Sequence, residues 1–143
     1  MRLLPILPAQ IGRVWLRVAP WLAAAERRAG CDLSANDLRT ICAREEGQLI
    51  VVLDGFGRSV AAGVTQVRNY DDGERSCWVL RLGGRSEGVE WPDVIAQVEA
   101  GASRLGCHAV EFVGRRAWRR FFPDYAATPD AAGFHFRKPL RAA

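Results

Sequence analysis

The sequence predicts a mixed α+β domain, built on one largely antiparallel sheet with a single parallel strand pair and flanked by about four helices. Three observations carry this expectation. A strand-like run, Trp78 to Leu82, ends in a glycine-rich turn, Gly83-Gly-Arg-Ser-Glu-Gly88, that leads into an amphipathic segment, Pro92 to Leu105, and then into a second apolar run, Ala109 to Val113. Two strands joined by a crossover helix lie parallel. Before them, three runs (Gln48 to Asp54, Ser59 to Arg68, Glu74 to Leu82) are separated by Asp54-Gly55 and by Asn69-Tyr-Asp-Asp-Gly73, which is the turn chemistry of an antiparallel meander. Finally, 143 residues that are 49% apolar and 25% charged suit one domain spanning 1–143 with a sizeable core.

Taken in order, Leu3 to Leu7 predicts a short edge strand, where its proline is tolerated. From Ala9 onward, Ile11, Val14, Trp15, Val18, Leu22 and Ala25 share one helical face up to Gly30, with Pro20 expected to kink or divide the helix. Ser34-Ala-Asn-Asp37 has the form of a capping box with Asp in place of Glu. Leu38, Ile41 and Cys42 form the inner side of the second helix, which is expected to end at Gly47. The continuous apolar run Leu49 to Leu53 suits a strand buried on both faces. In the crossover segment Val94, Ile95, Val98, Ala102 and Leu105 keep the helical period, Pro92 fits a first-turn position and Gly106 ends the helix. Gly114 to Phe122 predicts a short basic-aromatic helix with Trp118, Phe121 and Phe122 facing the core. Gly133 to Leu140 predicts a last strand.

Composition narrows the functional classes. The formal charge of +4 is carried locally by Arg115, Arg116, Arg119, Arg120, Arg137, Lys138 and Arg141, which reads first as a solvated basic face. Base readout of nucleic acid would need further signals, so a nucleic-acid-binding module ranks third among the functions considered. Cys31, Cys42, Cys77 and Cys107 show no metal-ligand spacing and read as reduced core residues of a cytoplasmic protein. The proline-broken N-terminus is too short in apolar residues for a secretion signal or a membrane span, so no membrane partner is expected.

With the element order in place, the chain resembles the GNAT acyltransferase superfamily over nearly its whole length. That family carries an (Arg/Gln)-x-x-Gly-x-(Gly/Ala) loop and then a helix ending in Ala-x-x-x-Gly; here stand Arg85-Ser-Glu-Gly-Val-Glu90 and Ala102-Ser-Arg-Leu-Gly106. The family's Asn-x-x-Ala-x-x-x-Tyr corresponds to Gly114-Arg-Arg-Ala-Trp-Arg-Arg-Phe121. The Arg-Arg-x-Trp segment is also similar to small GNAT-like proteins of phages and prophages. The resemblance implies acetyl-CoA as the ligand, its pyrophosphate held by backbone N–H groups of Leu82, Gly83, Gly84, Arg85, Gly88 and Val89 at a helix start.

The departures matter as much as the match. Glu90 replaces the last small residue, and Glu87, Glu90 and Asp93 together would oppose a pyrophosphate, enough to weaken a micromolar site to millimolar. The tyrosine that the resemblance implies as general acid is Phe121, and the asparagine is Gly114. Tyr125 would substitute only if the chain bends back. Glu74, Asp72 and Glu111, with His108 and His135, are the candidates for a general base. Two readings follow. One is a GNAT-fold protein with a degenerate acyl-CoA site that binds a protein partner in a phage or prophage setting. The other is an active acetyl-CoA-dependent N-acetyltransferase acting on a small primary amine.

Overall fold

The computed structural model describes residues 1–29 (main chain only for 26–29), 33–85, 87–131 and 133–140. Gly30, Cys31 and Arg141 lie outside them. The chain runs β1 (Arg2–Ile6), a 3-10 turn (Pro8–Gln10), α1 (Ile11–Ala29), α2 (Ala35–Ala43), β2 (Gln48–Leu53), β3 (Ser59–Asn69), β4 (Arg75–Gly84), α3 (Trp91–Arg104), β5 (Ala109–Gly114), a 3-10 helix (Arg116–Arg120), β6 (Ala126–Asp130) and β7 (Gly133–Pro139). Seven strands form one sheet in the order β1-β2-β3-β4-β5-β7-β6. All neighbours are antiparallel except β4 and β5, the pair joined by α3.

Local chemistry accounts for most of this. Pro5 sits in an edge strand, where a missing N–H breaks no central ladder. The Ser34 Oγ accepts the Asp37 N–H at 3.1 Å and the Asp37 carboxylate accepts the Ser34 N–H at 2.9 Å, so the capping box forms in both directions. Asp54 Oδ1 accepts from the N–H groups of Phe56 and Arg58 and closes the β2–β3 turn. On one face of the sheet α1 and α2 bury Trp15, Val18, Leu22, Leu38 and Cys42 against Leu49, Val51, Ala62 and Val64. On the other, α3 buries Ile95, Val98 and Ala102 against Cys77, Val110, Phe112 and Phe136.

Four expectations need correction. α1 is one helix through Pro20, which is exposed; its buried neighbours Val18 and Leu22 hold the helix on the sheet. Residues 114–122 do not form an α-helix, leaving three α-helices among the described residues. Gly114 ends β5, and a 3-10 helix follows, whose tighter winding changes which side chains face inward. Phe122 is therefore buried, Trp118 is half-buried, and Phe121, expected in the core, is 49% exposed. Strand β6 was not anticipated; it is a mostly exposed edge strand paired to β7 alone. Finally, Gly83 and Gly84 belong to β4 and not to a turn. Among the described residues no helix is long and apolar enough to cross a membrane.

Candidate active site

The site begins where the parallel pair separates. β4 and β5 pair only through Ser76↔Ala109, Cys77↔Val110 and Trp78↔Glu111, and residues 79–84 and 112–114 continue without pairing to each other. A β-bulge adds to the divergence: Val64 opposes Arg81 and Thr65 opposes Val79, leaving Leu80 without a partner on β3. A cavity of about 490 Å³ fills the gap. Its walls include Trp21 and Leu33 from the α1/α2 face and Trp91 and Ile95 from the α3 face, so the cleft passes through the sheet.

Leu82, Gly83, Gly84 and Arg85 all line this cleft. The missing side chains of the two glycines serve packing: a Cβ on Gly83 would overlap the Trp21 carbonyl oxygen, and one on Gly84 would press on Ala61 and the Val60 carbonyl. The Arg85 N–H is already donated to Val60 O at 2.9 Å. Gly88 and Val89 lie in the loop before α3. Gly88 adopts φ +81°, a conformation that favours glycine, with open space beside it. Val89 packs against the cluster of Val52, Val60 and Val94. Glu90 is the N-cap residue but offers no side-chain cap, Pro92 carries no N–H, and the N–H groups of 87–91 have no protein acceptor among the described residues. An uncapped helix start beside a cleft is an anion-binding geometry.

The carboxylates expected to crowd that loop are not part of the cleft wall. Asp93 pairs with the Met1 α-amino group at 3.4 Å, and Glu87 and Glu90 are exposed. The wall is instead basic and aromatic, with Arg68, Arg81, Arg85 and Arg115 and no carboxylate among the described residues.

At the vertex of the divergence lies a polar network. Glu111 is 5% exposed; its Oε2 accepts from Ser76 Oγ at 2.5 Å and Tyr70 Oη at 3.0 Å, and its Oε1 lies 2.9 Å from His135 Nε2. Burial pushes its carboxyl up, but the hydrogen bonds from Ser76, Tyr70 and His135 outweigh that and hold it below the ordinary glutamate value. An ionised carboxylate only accepts, so His135 Nε2 is the donor in this contact. Trp78 Nε1 donates to Tyr70 Oη at 2.8 Å, the Trp78 indole stacks on the His135 ring at 5.3 Å, and the Arg68 guanidinium lies over the Trp78 ring, 4.5 Å from its centroid. Trp78 itself lines the cleft.

The other candidates are elsewhere. Asp72 accepts the Glu74 N–H in the β3–β4 hairpin, and Glu74 is exposed there beside His108, whose Nδ1 accepts the Arg75 N–H. Tyr125 is buried under the α3 side of the sheet and donates to Glu99 Oε2 at 2.7 Å; burial and that carboxylate push its phenol up. It does not line the cleft. Phe121 does, and it brings no proton. Tyr70, Ser76 and Arg81 were not singled out from the sequence, because they meet the site only through strand pairing.

No protein-family model and no curated protein matches the chain. Solved structures do. An agmatine N-acetyltransferase variant in its apo form superposes with a TM-score of 0.71 at 14% identity, covering 97% of this chain and 99% of its own. A GNAT-family acetyltransferase from Listeria monocytogenes gives 0.64 at 12% identity over 97% and 94%. GCN5 from Tetrahymena gives 0.66 at 6% identity over 92% and 89%. Together with the single parallel strand pair and its divergence, these likenesses show that the chain has the GNAT acetyltransferase fold.

Proposed function

We propose that the chain is an acyl-CoA-dependent N-acyltransferase acting on a small primary amine. One relationship carries this reading: the cleft between β4 and β5 runs through the sheet and has the uncapped start of α3 on one of its faces. The fit to the ligand is supported by the N–H groups of 87–89 and 91, which meet no acceptor among the described residues, by the positive φ of Gly88 and by Arg85 beside them. An acyl-CoA, when bound, supplies a thioester carbonyl activated toward an amine.

The chain's own residues supply the rest. Glu111 orients the His135 ring through Nε2; neither residue lines the cleft, so His135 would take a proton from the acceptor ammonium through a water reaching past Trp78, which does line it. Glu111 is thus a positioning residue, since its two oxygens already receive three donors. Past Trp78, N–H groups of β4 that would face β5 have no ladder partner and are available to a developing oxyanion. The absence of a phenol at Phe121 is tolerable, because a thiolate leaves with a conjugate-acid pKa of about 8.5 and needs little protonation.

Thiol release from acetyl-CoA across a panel of primary amines, with calorimetric titration of acetyl-CoA, tests the proposal. Binding in the micromolar range and amine-dependent release are expected, with release falling about a hundredfold in His135→Gln at unchanged acetyl-CoA affinity. Absence of acyl-CoA binding up to millimolar concentration would overturn it. That outcome favours the second reading, a degenerate site that binds a protein partner in a phage or prophage setting. Its supporting observation is the edge-to-face contact of Trp91 and Trp118, 5.9 Å apart, which joins the two walls of the cleft on the α3 side.

A further inference from the structure

The 3-10 helix after β5 carries three arginines in five residues, and a fourth, Arg115, stands at its N-cap. At three residues per turn Arg115, Trp118 and Phe121 fall on one stripe, and all three line the cleft. Arg116 and Arg119 fall on the next stripe and are exposed. Two like charges thus stand one above the other on a short helix whose first turn contains no acid, an arrangement that opposes the helix locally. Arg119 is also held in place. Its guanidinium lies over the Phe134 ring, 5.8 Å from the centroid, a contact that fixes the charge without neutralising it.

Phe121 adds an aromatic surface beside these cations. It lines the cleft yet is 49% exposed, with the Trp118 ring 5.9 Å away and tilted by 60°. Trp118 in turn meets Trp91, the first residue of α3, edge-on at 5.9 Å. The 3-10 helix is therefore fixed against the start of α3, the place proposed above for the diphosphate of an acyl-CoA. In coenzyme A that diphosphate is joined directly to a ribose bearing a purine and a 3′-phosphate monoester. We infer that the 3-10 helix is a nucleotide subsite, with Arg116 and Arg119 binding the 3′-phosphate and Phe121 stacking on the purine. A phosphomonoester is close to a dianion at neutral pH, which matches two adjacent guanidinium groups, and its bonds to them are charge-assisted. A half-exposed ring offers the stacking face that a purine needs. The inference rests on the acyltransferase reading of the cleft and adds a specificity to it: complete coenzyme A over forms that lack the 3′-phosphate.

The test is calorimetric titration of the full chain with acetyl-CoA, its 3′-dephospho form, S-acetyl-4′-phosphopantetheine and adenosine 3′,5′-bisphosphate. Acetyl-CoA is expected to bind at least about tenfold more tightly than the dephospho form at low salt, with the gap narrowing as salt is raised. The double change Arg116→Gln with Arg119→Gln should close the gap while the dephospho form binds as it does to the wild type. Phe121→Leu should weaken both coenzyme forms by about tenfold and leave S-acetyl-4′-phosphopantetheine unaffected. All three side chains are exposed, so the variants are expected to fold, which circular dichroism checks; if the double variant does not, the wild-type ligand series decides alone.

Equal affinity of the wild type for acetyl-CoA and its dephospho form makes the arginines a solvated basic face and overturns the inference, leaving the acyltransferase reading intact. A preference for the 3′-phosphate that survives in the double variant assigns that phosphate to other residues and overturns it too. Unchanged coenzyme binding by Phe121→Leu overturns the stacking role. If acetyl-CoA does not bind at all, the acyltransferase reading falls, and adenosine 3′,5′-bisphosphate decides the subsite: binding that is lost in the double variant supports it, and no binding overturns it.

Discussion

Gly83 of β4 lies so close to the Trp21 carbonyl of α1 that a Cβ at Gly83 would overlap the oxygen. The same Cβ would also touch Ala25, and Trp21 and Ala25 both line the cleft. Helix and strand therefore set the width of the site through this contact. Backbone cannot yield as a flexible side-chain end does, so Gly83→Ala is expected to destabilise the fold by about 1 to 3 kcal/mol, typical of overpacking. A denaturant melt reads this directly. An unchanged midpoint would mean that α1 moves away from β4 at no cost.

From the sequence, Gly83 and Gly84 look like part of a phosphate-binding loop, and the instructive point is why. A glycine run before a helix has the same letters whether it admits a phosphate or a neighbouring helix, and only the tertiary contact distinguishes them. The meander, the crossover and the Ser34-Asp37 cap were legible because each rests on local periodicity or on a spacing of a few residues. Strand β6 was not, since Ala126-Ala-Thr-Pro-Asp130 has no apolar alternation and gains its ladder only from β7. Tyr70, Ser76, Glu111 and His135 come from widely spaced parts of the chain and meet by register alone. The face Arg81 takes is set by the bulge at Leu80, which no local pattern marks.

The phase of the 3-10 helix gives a second prediction. Phe122 stacks on Trp118 at 5.5 Å and meets Phe112 edge-on at 5.7 Å, whereas Phe121 is about half exposed. Phe122→Ala should cost about 3 to 5 kcal/mol, and Phe121→Ala under about 1 kcal/mol. An α-helix over these residues would make Phe121 the costlier loss. Chemical denaturation of the two variants separates the alternatives.

Glu111 makes stability depend on acid. Its carboxyl is lowered from 4.5 in the folded chain, so below that value the unfolded chain takes up the proton first, and stability falls as pH falls toward the folded value. Above 4.5 the contribution is fully present. In Glu111→Gln this part of the dependence should vanish, flattening melting temperature against pH on the acid side. The variant should also be less stable at neutral pH, because a neutral amide holds His135, Tyr70 and Ser76 less strongly than a carboxylate does. Parallel acid slopes for wild type and variant would show that Glu111 is not the group titrating.

The thiols of Cys42 and Cys77 are expected to be inert in the native state. Burial pushes Cys42 up to about 11 and Cys77 up to about 12, the latter helped by neighbouring Cys107. Only a thiolate reacts, so near neutral pH a maleimide or iodoacetamide should leave both unmodified, and brief denaturation should expose them. Peptide mapping by mass spectrometry identifies the labelled sites. Rapid native labelling of Cys77 would require local opening between β4 and α3.

The acidic loop before α3 offers the last and most discriminating prediction. If Glu87, Glu90 and Asp93 all faced a bound pyrophosphate, their removal would tighten acetyl-CoA binding by orders of magnitude, since each like charge at close range opposes it by roughly 1 kcal/mol. The folded chain gives a different expectation. Asp93 is paired with the Met1 α-amino group, and Glu87 and Glu90 are exposed, where water and salt screen them. The double change Glu87→Gln with Glu90→Gly should therefore tighten binding by no more than about fivefold in total, and by less as salt is raised. Gly88→Glu is expected to act very differently: at φ +81° it strains the backbone of the loop itself, disturbing the N–H groups as well as adding charge. Calorimetric titration of acetyl-CoA at low and moderate salt should show near-wild-type affinity for the double variant and a loss of at least about tenfold for Gly88→Glu. A large, salt-sensitive gain in the double variant would put those carboxylates back against the ligand, and equal binding by Gly88→Glu would move the anion site away from this loop.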